Sequence, residues 1–198
     1  MTEPTESSGP RVEPVARQPH QVDGTTGGRT FATEEERKDY ELARLGRCAR
    51  AAWEYGVEAW KNSERKRTGV TSGHILLGTL HEETCAGGLI LAKMGLDLQL
   101  AYKHTEWFLY YARRPEEKTT EEWGGVTHTP NGRRVMDLTI EEADLYYDTF
   151  PIGTEHLAIA LLRIPGSMGC TILNYFGIYH HEARAARDTH WEVSKAGE

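Results

Sequence analysis

The sequence predicts an all-α fold in which two four-helix repeats pack as one pseudo-twofold, eight-helix domain. Three observations carry that expectation. The stretch Pro151-Ile152-Gly153-Thr154-Glu155-His156-Leu157-Ala158-Ile159-Ala160-Leu161-Leu162 has a weaker copy at Val70-Thr71-Ser72-Gly73-His74-Ile75-Leu76-Leu77-Gly78-Thr79-Leu80. A constant offset of 82 carries His156 onto His74, Leu162 onto Leu80, Gly169 onto Gly87, Ile172 onto Ile90, Leu173 onto Leu91 and Gly177 onto Gly95. That is an internal duplication. Elsewhere apolar residues recur at helical spacing, and signals for strands are negligible. Beyond His156 the chain is almost wholly apolar, so this helix needs enclosure on all sides. A unit that cannot bury such a helix alone shares one core with its copy.

Residues 1–32, rich in Pro, Gly, Ser, Thr and Gln, read as a disordered tail. A helix is expected from Thr33, its cap, with Glu36 in capping-box spacing. It runs through Leu42, Leu45, Ala49, Ala52, Trp53, Gly56 and Trp60, the apolar face, while Arg44, Arg47 and Arg50 form a solvated one. Trp53, Tyr55 and Trp60 read as core and rim. Lys61 to Thr68 is a polar loop holding several residues more than its counterpart. Ser72 opens the second helix, Cys85 to Met94 is the third with Gly95 as its stop, and Asp97 to about Arg114 is the fourth. Residues 115–132 form a linker with turn signals at Gly124-Gly125. The second repeat, 133–193, places helices at Arg133 to Asp148, Thr154 to Arg163, Gly169 to Phe176 and His181 to about Val193. Gly153 gives a flexible start to the central helix, where the Thr154 hydroxyl is expected to accept from a first-turn amide. Residues 194–198 are a short C-terminal tail.

Gly153-Thr154-Glu155-His156 before an apolar helix, then a small-residue turn, a second helix and a Gly-apolar step, resemble the Clp N-terminal repeat. That module stands at the front of the Clp protein unfoldases. His128-Thr129-Pro130 with Arg133-Arg134-Val135 looks like the family's Thr-Pro-x-x-x-x-Val approach to its first helix. The likeness covers roughly residues 40 to 190, is specific in the second copy, and departs in the first, where Gly73 replaces the family's Glu. It implies a binding module and not an enzyme, acting as adaptor, decoy, accessory subunit or degron binder. The partners implied are Clp unfoldase or protease components, or their substrates and degrons. The repeat histidine is implied to be structural. In some members the Glu at the helix start belongs to a surface site for phosphorylated arginine, which makes Thr129 and Glu155 the candidate ligand-binding residues here. The carboxylate would pair with the guanidinium and the hydroxyl with the phosphate.

A net charge of -7 lacks the basic footprint of a nucleic-acid binder. No apolar run approaches the roughly 20 residues a bilayer span needs. Cys48, Cys85 and Cys170 are too few and scattered for a disulfide framework, and an odd count suits a reducing compartment. A cytoplasmic protein is expected. No Gly-x-x-x-x-Gly-Lys-Ser/Thr loop is present, so no cofactor or nucleotide is implied. Adjacent carboxylates such as Glu141-Glu142 diverge on a helix and make no acid/base pair. The rival class is a metal-dependent enzyme or metal-binding protein using His74, His81 and Cys85, which are spaced seven and four residues apart.

Overall fold

The computed structural model describes residues 25–26, 29–63, 68–111, 120–145 and 151–196. The predicted N-terminal tail lies largely outside these residues, although β1 (Thr25–Thr26) pairs with β2 (Arg29–Thr30) inside it. The helices are α1 (Glu34–Ala43), α2 (Arg47–Lys61), α3 (Ser72–His81), α4 (Ala86–Lys93), α5 (Leu98–Tyr111), α6 (Pro130–Asp144), α7 (Thr154–Leu162), α8 (Met168–Tyr175) and α9 (His180–Ala196). A hairpin, β3 (Glu121–Trp123) and β4 (Val126–His128), precedes α6. The fold is all-α, with α2 to α5 repeated as α6 to α9.

The expected elements are corrected at two places. The helix predicted over 33–60 is two helices, so nine are seen among the described residues where eight were expected. The break falls at Arg44-Leu45-Gly46, where Gly46 donates its amide to Ile152 (2.9 Å) and Ile152 returns one to Arg44 (2.9 Å). Tertiary pairing has taken backbone groups that a continuous helix would have used. The negligible strand signal also hid β3 and β4. Gly124 and Gly125, both at positive φ (58° and 69°), make the tight turn between them, the conformation that paired hairpin turns demand.

The two halves contact each other reciprocally. Val70 donates to Thr127 (2.9 Å) and Thr129 to Val70 (3.0 Å), matching the Ile152–Arg44 and Gly46–Ile152 bonds in the other half. The segment leading into each repeat's first helix therefore pairs with the segment leading into the other repeat's apolar helix. These matches need an offset of 83 ahead of the loop and 82 after it. The 61–68 loop thus carries one extra residue relative to its counterpart, not several. Gly95 and Gly177, at φ 91° and 78°, end α4 and α8 alike, with Leu96 and Ile178 donating back to Leu91 (3.1 Å) and Leu173 (3.0 Å).

One hydrophobic cluster spans both repeats, with Leu157, Leu161, Leu76 and Leu91 fully buried in it. Leu162, Ile75, Leu77 and Leu80 are buried as the apolar pattern predicts. Trp123, on the hairpin, is fully buried as well and gives its indole N–H to the buried Glu41 (3.3 Å). Arg44 does not lie on a solvated face: it is buried against Asp144 at 2.6 Å, and Arg50 donates to the Leu42 carbonyl at 2.7 Å.

Candidate functional site

The starts of α3 and α7 are built from the same parts. Thr71 and Gly153 are the N-caps, and the ring of the third helical residue reaches back to each. His74 Nδ1 accepts from the Thr71 amide (3.1 Å), and His156 Nδ1 from the Gly153 amide (3.0 Å). Both histidines are structural, replacing the Glu or Gln of an ordinary capping box. The Ser72 and Thr154 hydroxyls have matched roles, but not in their own first turns. Thr154 Oγ1 accepts from Gly87 at the start of α4 (2.8 Å), and Ser72 Oγ from Gly169 at the start of α8 (3.2 Å). Each fills an orphan first-turn donor in the opposite repeat.

Thr129 and Glu155 are both buried. Thr129 Oγ1 caps α6 by accepting from Gly132 (3.2 Å), and its amide bonds Val70 ahead of α3. Its hydrogen bonds thus run to its own helix and to the first repeat's helix start, not to the start that carries Glu155. The Glu155 carboxylate folds back over Gly153, occupying the space a side chain there would need. Burial raises its pKa, opposed by its own amide and by Arg187. Burial, then Arg187, lowers the His156 pKa to about 4. The 3.5 Å contact between Glu155 and the neutral His156 ring is therefore no ion pair. Gly73, at the position matching Glu155, lies under the Met168 thioether, so a side chain there meets Met168 and Leu109.

His128 is likewise fully buried, with burial lowering its pKa to about 4. Both imidazoles take up protons near pH 6.5 when unfolded but only near pH 4 when folded. The unfolded state binds more protons between those values, so stability falls as pH drops through that window. Each histidine contributes up to about 3 kcal/mol to the loss. The raised pKa of Glu155 acts in the opposite sense just above pH 4.5. Urea titrations at pH 7 and pH 5 are expected to show a more stable protein at pH 7. The difference should shrink in His156→Gln, and an unchanged difference would refute the assignment.

The rival metal set is not brought together. His74 is the buried cap of α3. His81 is half exposed, stacked on the Tyr55 ring at 3.9 Å. Cys85 is disulfide-bonded to Cys48, with Cα atoms 6.3 Å apart. The expectation of unpaired thiols fails because α2 and α4, distant in sequence, start side by side; Cys170 remains free and buried.

A groove of about 660 Å³ opens between α2, α3 and α5, lined by Tyr55, Glu58, Ala59, Tyr102, Glu106, Trp107 and Tyr111 among others. The Tyr55 and Tyr102 hydroxyls hydrogen-bond at 2.5 Å. Trp107 and Tyr111 are each more than half exposed, and Tyr110 is nearly so. In the second repeat the corresponding helices are tied together by ion pairs. There the fully buried Glu142 accepts from Arg163 (2.7 Å) and Arg184 (2.6 Å), with Arg187 at 3.7 Å. Ala59 stands at the position of Glu142, and Tyr102 at that of Arg184. A methyl in place of a carboxylate removes the anchor of the clasp and leaves the first repeat open. Sequence reading placed Trp107 and Tyr111 on the fourth helix but assigned neither to a surface, because helical spacing alone does not say which apolar residues lack a covering element.

No family model matches the chain. In sequence it is 25% identical over 131 residues to the chaperone protein ClpB of Oceanobacillus iheyensis, a match covering 65% of this chain and 15% of that protein. It is 28% identical over 111 residues to ClpC/MecB, the negative regulator of genetic competence of Bacillus subtilis, covering 56% and 13%. With the chloroplastic chaperone protein ClpC1 of Arabidopsis thaliana it shares 31% over 117 residues, covering 58% and 12%. The matches thus span 12 to 15% of these relatives' lengths. In structure it resembles the N-terminal domain of the caseinolytic protease associated chaperone ClpD from Arabidopsis thaliana. The TM-score is 0.56 at 20% identity, over 76% of this chain and 96% of that one. The fold is that of a Clp N-terminal domain. The chain is a helical double repeat of this class, similar in sequence to Clp proteins of bacteria and chloroplasts. Among the described residues no helix is long and apolar enough to cross a membrane.

Proposed function

We propose that the chain is a non-enzymatic protein- or peptide-binding module of Clp-dependent proteolysis, working in the cytoplasm as adaptor, accessory subunit or degron binder. The observation that carries this reading is the open groove of the first repeat, set against the closed clasp of the second. Burying Trp107 and Tyr111 under a partner supplies the apolar gain that such anchors give interfaces. Glu58 and Glu106 among aromatic rings suit a peptide bearing a basic side chain, which gains from both charge and ring faces. The partners are Clp unfoldase or protease components, or the substrates and degrons delivered to them; nucleic acid does not fit the charge. Fluorescence anisotropy of labelled basic peptides, titrated with the full chain, tests the groove. Saturable binding that Trp107→Ala weakens by about tenfold or more is expected, the loss of one interface anchor. Equal binding by parent and variant would remove the groove from the proposal.

The narrower proposal is that the degron includes phosphorylated arginine, held by Glu155 and Thr129. Only the second repeat offers the acid, and Gly73 lies beneath Met168 in the first. Because Glu155 lies folded over Gly153, the ligand must draw the carboxylate outward as it binds. Glu155→Ala removes one charge-assisted interaction of roughly 1.5–3 kcal/mol, about ten- to a hundredfold in affinity. Calorimetric titration with phosphoarginine is the check. No saturable binding by the parent at millimolar ligand, or equal binding by Glu155→Ala, would reject this degron and leave the groove reading in place.

A further inference from the structure

We propose that Cys48, Glu82 and Cys85 form a redox-gated site for a thiophilic divalent cation of the zinc class. Three helix ends converge on it. Cys48 lies in the first turn of α2, Glu82 caps the C-terminus of α3, and Cys85 is the N-cap of α4. One donor atom from each lies within 4.8 Å of the other two. A tetrahedral zinc centre, with bonds of about 2.3 Å to sulfur and 2.0–2.2 Å to carboxylate oxygen, spaces its ligand atoms roughly 3.5–3.8 Å apart. The three groups meet that spacing once the sulfurs part, which side-chain rotation at a Cα separation of 6.3 Å allows.

The surroundings favour a site over a simple staple. Both cysteines and Glu82 are partly exposed, so a reductant and an ion can reach them. Cys85 Sγ already lies 3.7 Å from the Glu82 carboxylate, which His81 Nδ1 approaches from its other oxygen at 3.3 Å. A ring nitrogen beside a ligating carboxylate is the arrangement that orients metal ligands from the outer shell. The fourth position is left for water. This set differs from the His74, His81 and Cys85 trio suggested by spacing: His74 is excluded by its role as a cap.

The two states exchange as follows. A dithiol reductant takes over the disulfide, leaving Cys48 and Cys85 as thiols while it is itself oxidised to a disulfide. Binding one divalent ion then releases two protons as two metal–thiolate bonds form. A peroxide reverses this: each thiolate gives up one electron, the sulfurs rejoin, the ion departs, and peroxide with two protons becomes two waters.

The test uses the full chain, reduced, freed of metal, and titrated with zinc against a chromophoric chelator. One equivalent bound by the reduced parent, and none by the peroxide-treated parent, is expected. Cys48→Ser should weaken binding about 100-fold or more and Glu82→Gln about tenfold, since even outer-shell changes cost about 10- to 100-fold. Zinc uptake that is the same in reduced and oxidised parent, or no stoichiometric uptake by either, overturns the proposal. The comparison on the parent needs no substitution and decides the matter even where a variant fails to fold.

Discussion

Glu142→Ala is expected to cost about 3–5 kcal/mol of folding stability, the range for removing one partner of a buried ion pair. Glu142 is fully buried and holds Arg163 and Arg184 at 2.7 and 2.6 Å, with Arg187 nearby, joining α6 to α7 and α9. Alanine leaves these cations without their shared anion. Arg163 and Arg184 retain some exposure and can turn toward water, whereas the Arg187 side chain is only 2% exposed and keeps Asp188 at 2.8 Å. The loss thus reflects the buried carboxylate that ties α6 to α7 and α9, since Arg187 keeps Asp188 and Arg163 keeps Glu141. Urea denaturation of parent and variant measures it. A loss below about 1 kcal/mol, the scale of a surface pair, would show that the clasp is solvated.

Leu161→Ala is the second large effect, expected at roughly 2–5 kcal/mol. Leu161 is fully buried in α7 and packs in the cluster that both repeats share. A Cβ added at Gly169 would run into the Leu161 Cδ2, so α8 packs against the side chain that would be removed. Collapse into the cavity would have to move α7 against its neighbours on several sides. A two-state melt showing less than about 1 kcal/mol would place α7 at a surface instead.

Much of the fold was legible because duplication repeats its own signals. His74 and His156, Gly95 and Gly177, and the apolar run after each histidine fixed the element types and the shared core. Leu45 and Gly46 were not legible as a break, since their pairing with Ile152 depends on contacts about a hundred residues away. Trp123 lay in what read as a linker; its burial comes from the hairpin turn and the distant Glu41. The site was less legible still. Thr129 and Glu155 were named from a motif, and the structure shows them as a cap and a buried acid. The groove depends on an absence, Ala59 where the other repeat has Glu142, which emerges only when both halves are superposed. Cys48 and Cys85 lie 37 residues apart, and no local pattern announces their meeting.

Under the proposal, the first-repeat groove binds proteins of the Clp system. The most direct measurement is quantitative capture from native extract by the immobilised full chain, run beside Trp107→Ala/Tyr111→Ala. The account predicts that the parent enriches Clp subunits or their degradation substrates and that the double variant loses most of that enrichment while keeping its helical spectrum. Retention no greater than on an unrelated helical protein, or equal retention by parent and variant, would contradict it.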